Sequence, residues 1–227
     1  MNINYNKEKL TKFVTRNMEI LNYGNKNYPE KLKNICSSPK TLYLIGNKNL
    51  LYMKSIAIIG CRECTKIGAY NAYKFGYELA KKGICIISGL AKGIDAYSHI
   101  GAIKAKGRTI AVLGSGLDII YPKENKEIYF QILKNNGLIV SEYELGSKPE
   151  KHHFPARNRI ISGLSDGVLV VEAKKRSGTL ITVDFALDQG KDIYAIPGSI
   201  SNENSYGTNN LIKEGAFLVT NVEDIII

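Results

Sequence analysis

The residues best suited to chemistry gather in short segments of similar make-up. Four of these segments are compact: Gly60-Cys61-Arg62-Glu63-Cys64-Thr65, Ser88-Gly89-Leu90-Ala91-Lys92-Gly93-Ile94-Asp95, Gly114-Ser115-Gly116-Leu117-Asp118 and Glu172-Ala173-Lys174-Lys175-Arg176-Ser177-Gly178-Thr179. A fifth is the long loop from Ser141-Glu142-Tyr143 to His152-His153-Phe154-Pro155-Ala156-Arg157-Asn158-Arg159, and a sixth is Pro197-Gly198-Ser199. Glycine lets a backbone approach a ligand, and helix N-termini offer free N–H groups to anions. Arg62, Lys92, Arg157, Arg159 and Arg176 add positive charge. Such residues suit the binding of phosphate groups. Gly-rich turns also simply reverse a chain; several basic ones together argue for more than that.

Most enzyme signatures fail. No G-x-x-x-x-G-K-[ST] occurs, which removes the Walker-type nucleotide triphosphatases. Gly114-Ser115-Gly116 starts like a dinucleotide fingerprint but lacks the third glycine. Gly163-Leu164-Ser165-Asp166-Gly167 matches G-x-S-x-G but runs from helix into strand, against the direction of a nucleophile elbow. His99 lies in a helical segment and reads as structural. His152 and His153 fall on the edge loop with no acidic partner evident at metal-binding spacing. They read as phosphate donors or ordinary loop residues. Cys36, Cys61, Cys64 and Cys85 have no regular spacing and read as free thiols. Cys61 and Cys64 form one C-x-x-C without a second pair, so neither metal nor cofactor is expected. Phe154 beside a basic loop suits stacking on an unpaired base. Phe154-Pro155 anchoring the loop in the core is an equal alternative.

The elements that must position these segments are legible in the apolar pattern. β-rich apolar runs begin near residues 55, 84, 109, 138, 167, 192 and 217. Helical periodicity separates most of them, as over Tyr70 to Lys81 and Leu180 to Gln189. Continuous apolar strands alternating with helices predict an α/β fold: an extended Rossmann-like, doubly wound, mostly parallel sheet covered on both faces. The candidate segments then follow the carboxyl ends of strands, where such folds bind ligands. Before this region, residues 1–20 have the spacing of an amphipathic helix through Leu10, Phe13, Val14, Met18 and Leu21, and Leu42 to Ile45 read as a short strand. The chain thus divides into a short basic N-terminal segment, 1–54, and a Rossmann-like domain, 55–227.

The chain has 227 residues, 44% hydrophobic and 23% charged, as globular domains do. Net charge is +10. Residues 1–54 hold ten basic and three acidic residues, and the remainder hold 21 and 18. A basic balance favours a polyanion partner, although Lys- and Asn-rich composition also follows genome base content. No apolar run approaches the roughly 18 residues of a membrane helix, and the polar start lacks a signal peptide's apolar core. No membrane association and a cytoplasmic location are the expectations.

The motifs resemble the DNA-processing protein A (DprA/Smf) family. The resemblance rests on Ser88 to Asp95, on Phe154-Pro-Ala-Arg-Asn-Arg-Ile-Ile-Ser-Gly-Leu-Ser165 and on Val171-Glu-Ala-Lys-Lys-Arg-Ser-Gly-Thr-Leu-Ile-Thr182. Pro197-Gly198, Gly207-Thr-Asn-Asn-Leu-Ile212, Tyr28-Pro29 and Leu42 to Gly46 also fit, over about residues 28–220. The resemblance implies an extended Rossmann fold, single-stranded-DNA binding, a homodimer and loading of the RecA recombinase in natural transformation. It implies a binding protein rather than an enzyme. It assigns the DNA site to Gly60, Cys61, Arg62 and Thr65, to Lys92, to Phe154, Arg157, Asn158 and Arg159, and to Ser177, Gly178 and Thr179. Arg62, Lys92, Arg157 and Arg159 would neutralise phosphates, turn amides at Gly60 and Gly178 would donate to them, and Phe154 would stack a base. Cys61 stands where the family has serine. Many members add an N-terminal helical domain and a C-terminal winged helix; neither is expected here. The alternative is a nucleotide-processing enzyme akin to the phosphoribohydrolases, whose phosphate turn Ser177-Gly178-Thr179 resembles. Leu180-Ile181-Thr182 follows where their glutamate should be.

Overall fold

A computed structural model describes residues 7–225. Its strands are β1 (Met18–Asn22), β2 (Thr41–Gly46), β3 (Ser55–Gly60), β4 (Cys85–Ser88), β5 (Thr109–Leu113), β6 (Leu138–Ser141), β7 (Gly167–Glu172), β8 (Asp192–Ala195) and β9 (Phe217–Leu218). Its helices are α1 (Lys7–Asn17), α2 (Glu30–Lys33), α3 (Lys66–Lys81), α4 (Ile94–Lys104), α5 (Lys126–Lys134), α6 (His153–Leu164), α7 (Gly178–Asp188) and α8 (Tyr206–Lys213). One sheet runs in the order β1-β2-β6-β5-β4-β3-β7-β8-β9. From β6 to β9 all neighbours are parallel, while β1 and β2 extend the β6 edge antiparallel. This is the doubly wound, mostly parallel α/β sheet that the apolar runs predict.

The strands form there because their β-branched side chains are buried on both faces. Every residue of β7, Gly-Val-Leu-Val-Val-Glu, is buried, and successive residues feed opposite cores. Ala57, Ile59, Val168 and Val170 pack on one side with α7 residues Val183 and Ala186. Ile56, Ile58, Leu169 and Val171 pack on the other with α3 residues Ala72, Phe75 and Leu79. The period of two along each strand thus serves two helical layers.

The N-terminal region joins this sheet directly through β1 and β2. The helix expected over 1–20 ends at Asn17 and gives way to β1; residues 1–6 lie outside the described residues. Met18 and Leu21 are three apart, which on a helix is one face but on a strand is opposite faces. They pack accordingly into different clusters, Leu21 with the α7-side core and Met18 with Leu10 and Val14. Pairing of Met18 to Asn22 with β2 decides the matter, because it satisfies backbone groups that a helix could not bring to this edge. Tyr28 is buried, and its hydroxyl donates to the Pro39 carbonyl at 2.7 Å. Lys31 reaches back to Asp166 at 2.8 Å, just before β7. Among the described residues no helix is long and apolar enough to cross a membrane.

Tyr28→Phe removes one donor and leaves the buried Pro39 carbonyl short of a partner. Stability should fall by about 1–3 kcal/mol. The check is a lower urea midpoint with an unchanged slope.

Candidate nucleic-acid interface

β3 and β7 are neighbours, yet the chain leaves β3 toward β4 on one side and leaves β7 toward β8 on the other. The helices that follow, α3 and α7, cover opposite faces of the sheet. A crevice opens at such a reversal of strand order. Here it is a groove of about 690 Å³. Its walls are Gly60 to Glu63 after β3, Lys174 and Arg176 to Thr179 after β7, and the α6 residues Phe154, Pro155, Arg157, Asn158 and Ile161. Tyr121 and Lys151 also line it.

Glu172, the buried last residue of β7, ties the two walls together. Its carboxylate accepts from the Thr65 amide at 3.0 Å, the Thr65 hydroxyl at 2.5 Å and the Asn204 side chain at 3.2 Å. Thr65 in turn caps α3 by accepting from the Gly68 amide at 2.9 Å. The Cys61 amide donates to the Glu172 carbonyl at 3.0 Å. Burial and the Glu172 carboxylate push the Cys64 thiol pKa up, and burial does the same first for Cys61. Both are therefore neutral thiols and poor nucleophiles.

The two glycines of the turns serve different needs. A Cβ on Gly60 would stand 2.6 Å from Ile94 Cγ1 and 2.9 Å from the Glu172 carbonyl oxygen, so packing demands glycine there. A Cβ on Gly178 would meet nothing within 4 Å, and its φ is not in the left-handed region. Neither packing nor conformation demands that glycine; it leaves the first turn of α7 open to the groove. Ser177 caps this helix by accepting from the Thr179 amide at 3.1 Å.

The cations fall into distinct environments. Arg62 is exposed, with its guanidinium 5.3 Å from the centroid of the Phe154 ring. Phe154 also meets Tyr121, ring to ring, at 5.6 Å. Lys151, Lys174 and Arg176 are exposed along the groove. Arg157 is buried: one guanidinium nitrogen donates to the Gly89 carbonyl at 2.6 Å and also to the Val112 carbonyl. Burial pulls its pKa down to about 10, with the charge of Asp95 opposing. It remains a cation at neutral pH. Asp95 is buried too and accepts from the Gly89 and Ala91 amides at 3.0 and 3.3 Å. Burial pushes the Asp95 pKa up, while Arg157 and those amides oppose the rise.

A profile of the DNA recombination-mediator protein A family matches residues 19–227. The chain belongs to that family. DNA processing protein DprA of Streptococcus pneumoniae is 48% identical over 199 residues, covering 88% of this chain and 70% of that protein. An X-ray structure of the pneumococcal protein aligns with TM-score 0.88 at 44% identity, over 97% of this chain and 77% of that one. A structure of DNA processing protein A from Helicobacter pylori aligns with TM-score 0.82 at 34% identity, over 91% and 93% of the two chains. It concerns the single-stranded DNA binding mode of the H. pylori protein.

Of the residues that the DprA/Smf motifs single out, the groove gathers Gly60, Cys61, Arg62, Phe154, Arg157, Asn158, Ser177, Gly178 and Thr179. Three others do other work. Thr65 is a helix cap on Glu172. Lys92 pairs with Glu124 on the surface. Arg159 is nearly buried, and one nitrogen donates to both oxygens of Glu142 at 2.7 and 2.8 Å. Arg157 and Arg159 are two residues apart on α6, about 200° around the axis, so they cannot face the same ligand. The expected edge loop carrying Phe154 is in fact the first turn of α6. His153 belongs to it and is buried, with Nδ1 3.1 Å from the Gly114 carbonyl oxygen, while Glu150 lies 3.5 Å from His152. An acidic partner is therefore present beside the histidines, contrary to expectation. His99 is structural as expected: it is buried, with Nδ1 2.7 Å from the Thr109 hydroxyl. Tyr121 and Lys151 were missed. They sit in stretches without a motif, and only the fold brings them to the groove.

Arg157→Gln should cost about 1–3 kcal/mol of stability, because it removes a buried donor to the Gly89 and Val112 carbonyls and the charge that opposes the rise in the Asp95 pKa. Arg62→Gln should cost no more than about 1 kcal/mol, the worth of an exposed cation–π contact. Parallel urea titrations of the two variants make the comparison.

Proposed function

We propose that this chain is a non-enzymatic, single-stranded-DNA-binding recombination mediator. In this reading it is a cytoplasmic homodimer that loads RecA onto incoming DNA in natural transformation. Membership of the recombination-mediator family and the subject of the H. pylori structure support the nucleic-acid part. The observation that carries it is the pairing of Arg62 with Phe154 opposite the open N-terminal turn of α7.

That arrangement can exchange partners on binding. The exposed Arg62–Phe154 contact is worth about 0.5–1 kcal/mol. A base stacked on the ring gains about 1–3 kcal/mol. Arg62, displaced from the ring, can turn to the adjoining phosphate. Lys151, Lys174 and Arg176 line the same path and would track the backbone. Arg157 contributes its charge from beneath without needing to touch the strand. These contacts address phosphates and a π-face, so the recognition is tolerant of sequence. The phosphoribohydrolase reading gains nothing here. Of the carboxyls at the groove, Asp95 is buried and accepts from scaffold amides, and Glu172 beneath the lining is held by Thr65 and Asn204. The exposed Glu63 stands beside Arg62, not in the Leu180-Ile181-Thr182 segment where those enzymes carry their glutamate.

Two expectations follow for binding. Phe154→Ala should weaken single-strand affinity by about 1–3 kcal/mol, and Arg62→Ala should weaken it for all sequences while lowering the salt slope by about 0.7. A fluorescence-anisotropy titration with two unrelated oligonucleotides reads both effects. Normal affinity in the folded variants would remove these residues from the site.

Stacking also sets strand preference. Phosphate attraction serves duplex and single strand alike and is screened by salt, whereas stacking is not. The preference for a single strand over its duplex should therefore grow from about 50 to 200 mM salt. Equal affinities across that range would leave only a basic surface.

A further inference from the structure

The two histidines at the start of α6 take no part in the groove described above. His153 is held on both sides. Its ring stacks on Tyr143 with centroids 3.8 Å apart, and its Nδ1 lies 3.1 Å from the Gly114 carbonyl oxygen. A carbonyl only accepts, so Nδ1 carries the proton in that bond and Nε2 keeps its lone pair. His152 is exposed, with Nδ1 3.5 Å from a Glu150 oxygen. One candidate ligand atom from each of Glu150, His152 and His153 lies within 4.8 Å of the other two.

We propose that Glu150, His152 and His153 form a binding site for a divalent transition-metal cation of the zinc class. Two imidazoles and one carboxylate are a borderline donor set. It suits Zn²⁺ or its neighbours, whereas Mg²⁺ and Ca²⁺ ask for oxygen alone. The Gly114 carbonyl supplies the outer partner that a metal-bound histidine ordinarily has, fixing both tautomer and ring plane. Bonds of about 2.0–2.2 Å in a tetrahedron place ligand atoms roughly 3.3–3.6 Å apart. Glu150 and His152, at 3.5 Å, already stand in that range, and the remaining separations, at most 4.8 Å, must close by no more than about 1.5 Å. Glu150 and His152 can do so, because their side chains are 60% and 74% exposed, with the His152 ring already edge-on to His153 at 4.5 Å, while His153 stays as the fixed point. Three protein ligands leave a fourth position for water or another donor. Glu150 and His152 alone, as an exposed contact at 3.5 Å, would contribute little to stability. The metal site does not depend on the DNA reading.

The test is calorimetric titration of Zn²⁺ into the metal-free full chain, with His152→Ala, Glu150→Gln and Cys36→Ser measured alongside. Melting curves of the metal-free variants confirm that each is folded. Cys36 is the exposed thiol and controls for adventitious binding. One equivalent should bind the wild type and Cys36→Ser equally. His152→Ala and Glu150→Gln should each lose at least about tenfold in affinity, the smaller effect seen even for outer partners. Substituting Co²⁺ should give an absorption spectrum free of sulfur-to-cobalt charge transfer. No saturable binding, equal affinity in all variants, or a thiolate band lost with Cys36→Ser would overturn the proposal.

Discussion

The buried Arg157 is the contact on which the rest of the groove depends. Its guanidinium gathers the carbonyls that end β4 and β5, and its charge balances Asp95 at the start of α4. Two strand ends and the start of one helix are thereby referred to one point on α6. An isolated charge at that depth would be strongly unfavourable, so the two carbonyls that Arg157 bonds and the charge of Asp95 are a condition of keeping this positive potential beneath the groove. With the helix set, Phe154, Arg157, Asn158 and Ile161 follow at i, i+3, i+4 and i+7 and form one stripe along the groove. Arg159 falls on the far side and is held by Glu142. One motif of two arginines thus supplies a cation for the groove and an anchor behind it.

That division marks the limit of what the sequence reveals. The α6 stripe mixes an aromatic, a cation, an amide and one aliphatic residue, so hydrophobic periodicity does not flag it. Arg157 and Arg159 look interchangeable in the motif, and only the position of α6 separates them. The same holds for Thr65 and Lys92, whose partners Glu172 and Glu124 are far away in the chain. Buried strands are different. Val-Leu-Val-Val in β7 and Ile-Ala-Ile-Ile in β3 declare themselves because both faces need apolar side chains. The start of the chain misleads for a related reason: Met18 and Leu21 fit a helical spacing, and the competing strand pairing with β2 is invisible until β2 is placed.

The strand order explains why the groove sits where it does. The reversal between β3 and β7 puts two polar turns side by side while their helices diverge to opposite faces. Glu172 closes the base of that opening by bonding to the cap of α3 and to Asn204, which also donates to the Glu63 carbonyl at 2.9 Å. The Glu172 carboxylate lies below the groove surface and is occupied by donors, while the exposed wall carries Arg62, Lys174 and Arg176 together with Glu63.

The pinning of α6 has a kinetic and entropic consequence. Its inner face is tied through Arg157 and its outer face through Arg159, so a shift of the helix would break buried contacts on one side or the other. Adaptation is confined to exposed side chains at the margin, with Arg62 foremost among them. In the proposed reading, an incoming flexible polymer meets a surface whose backbone is already arranged, and encounter need not wait on a change of fold. The ordering entropy falls chiefly on the polymer and on a few long side chains, at about 0.5–1.5 kcal/mol for each one immobilised.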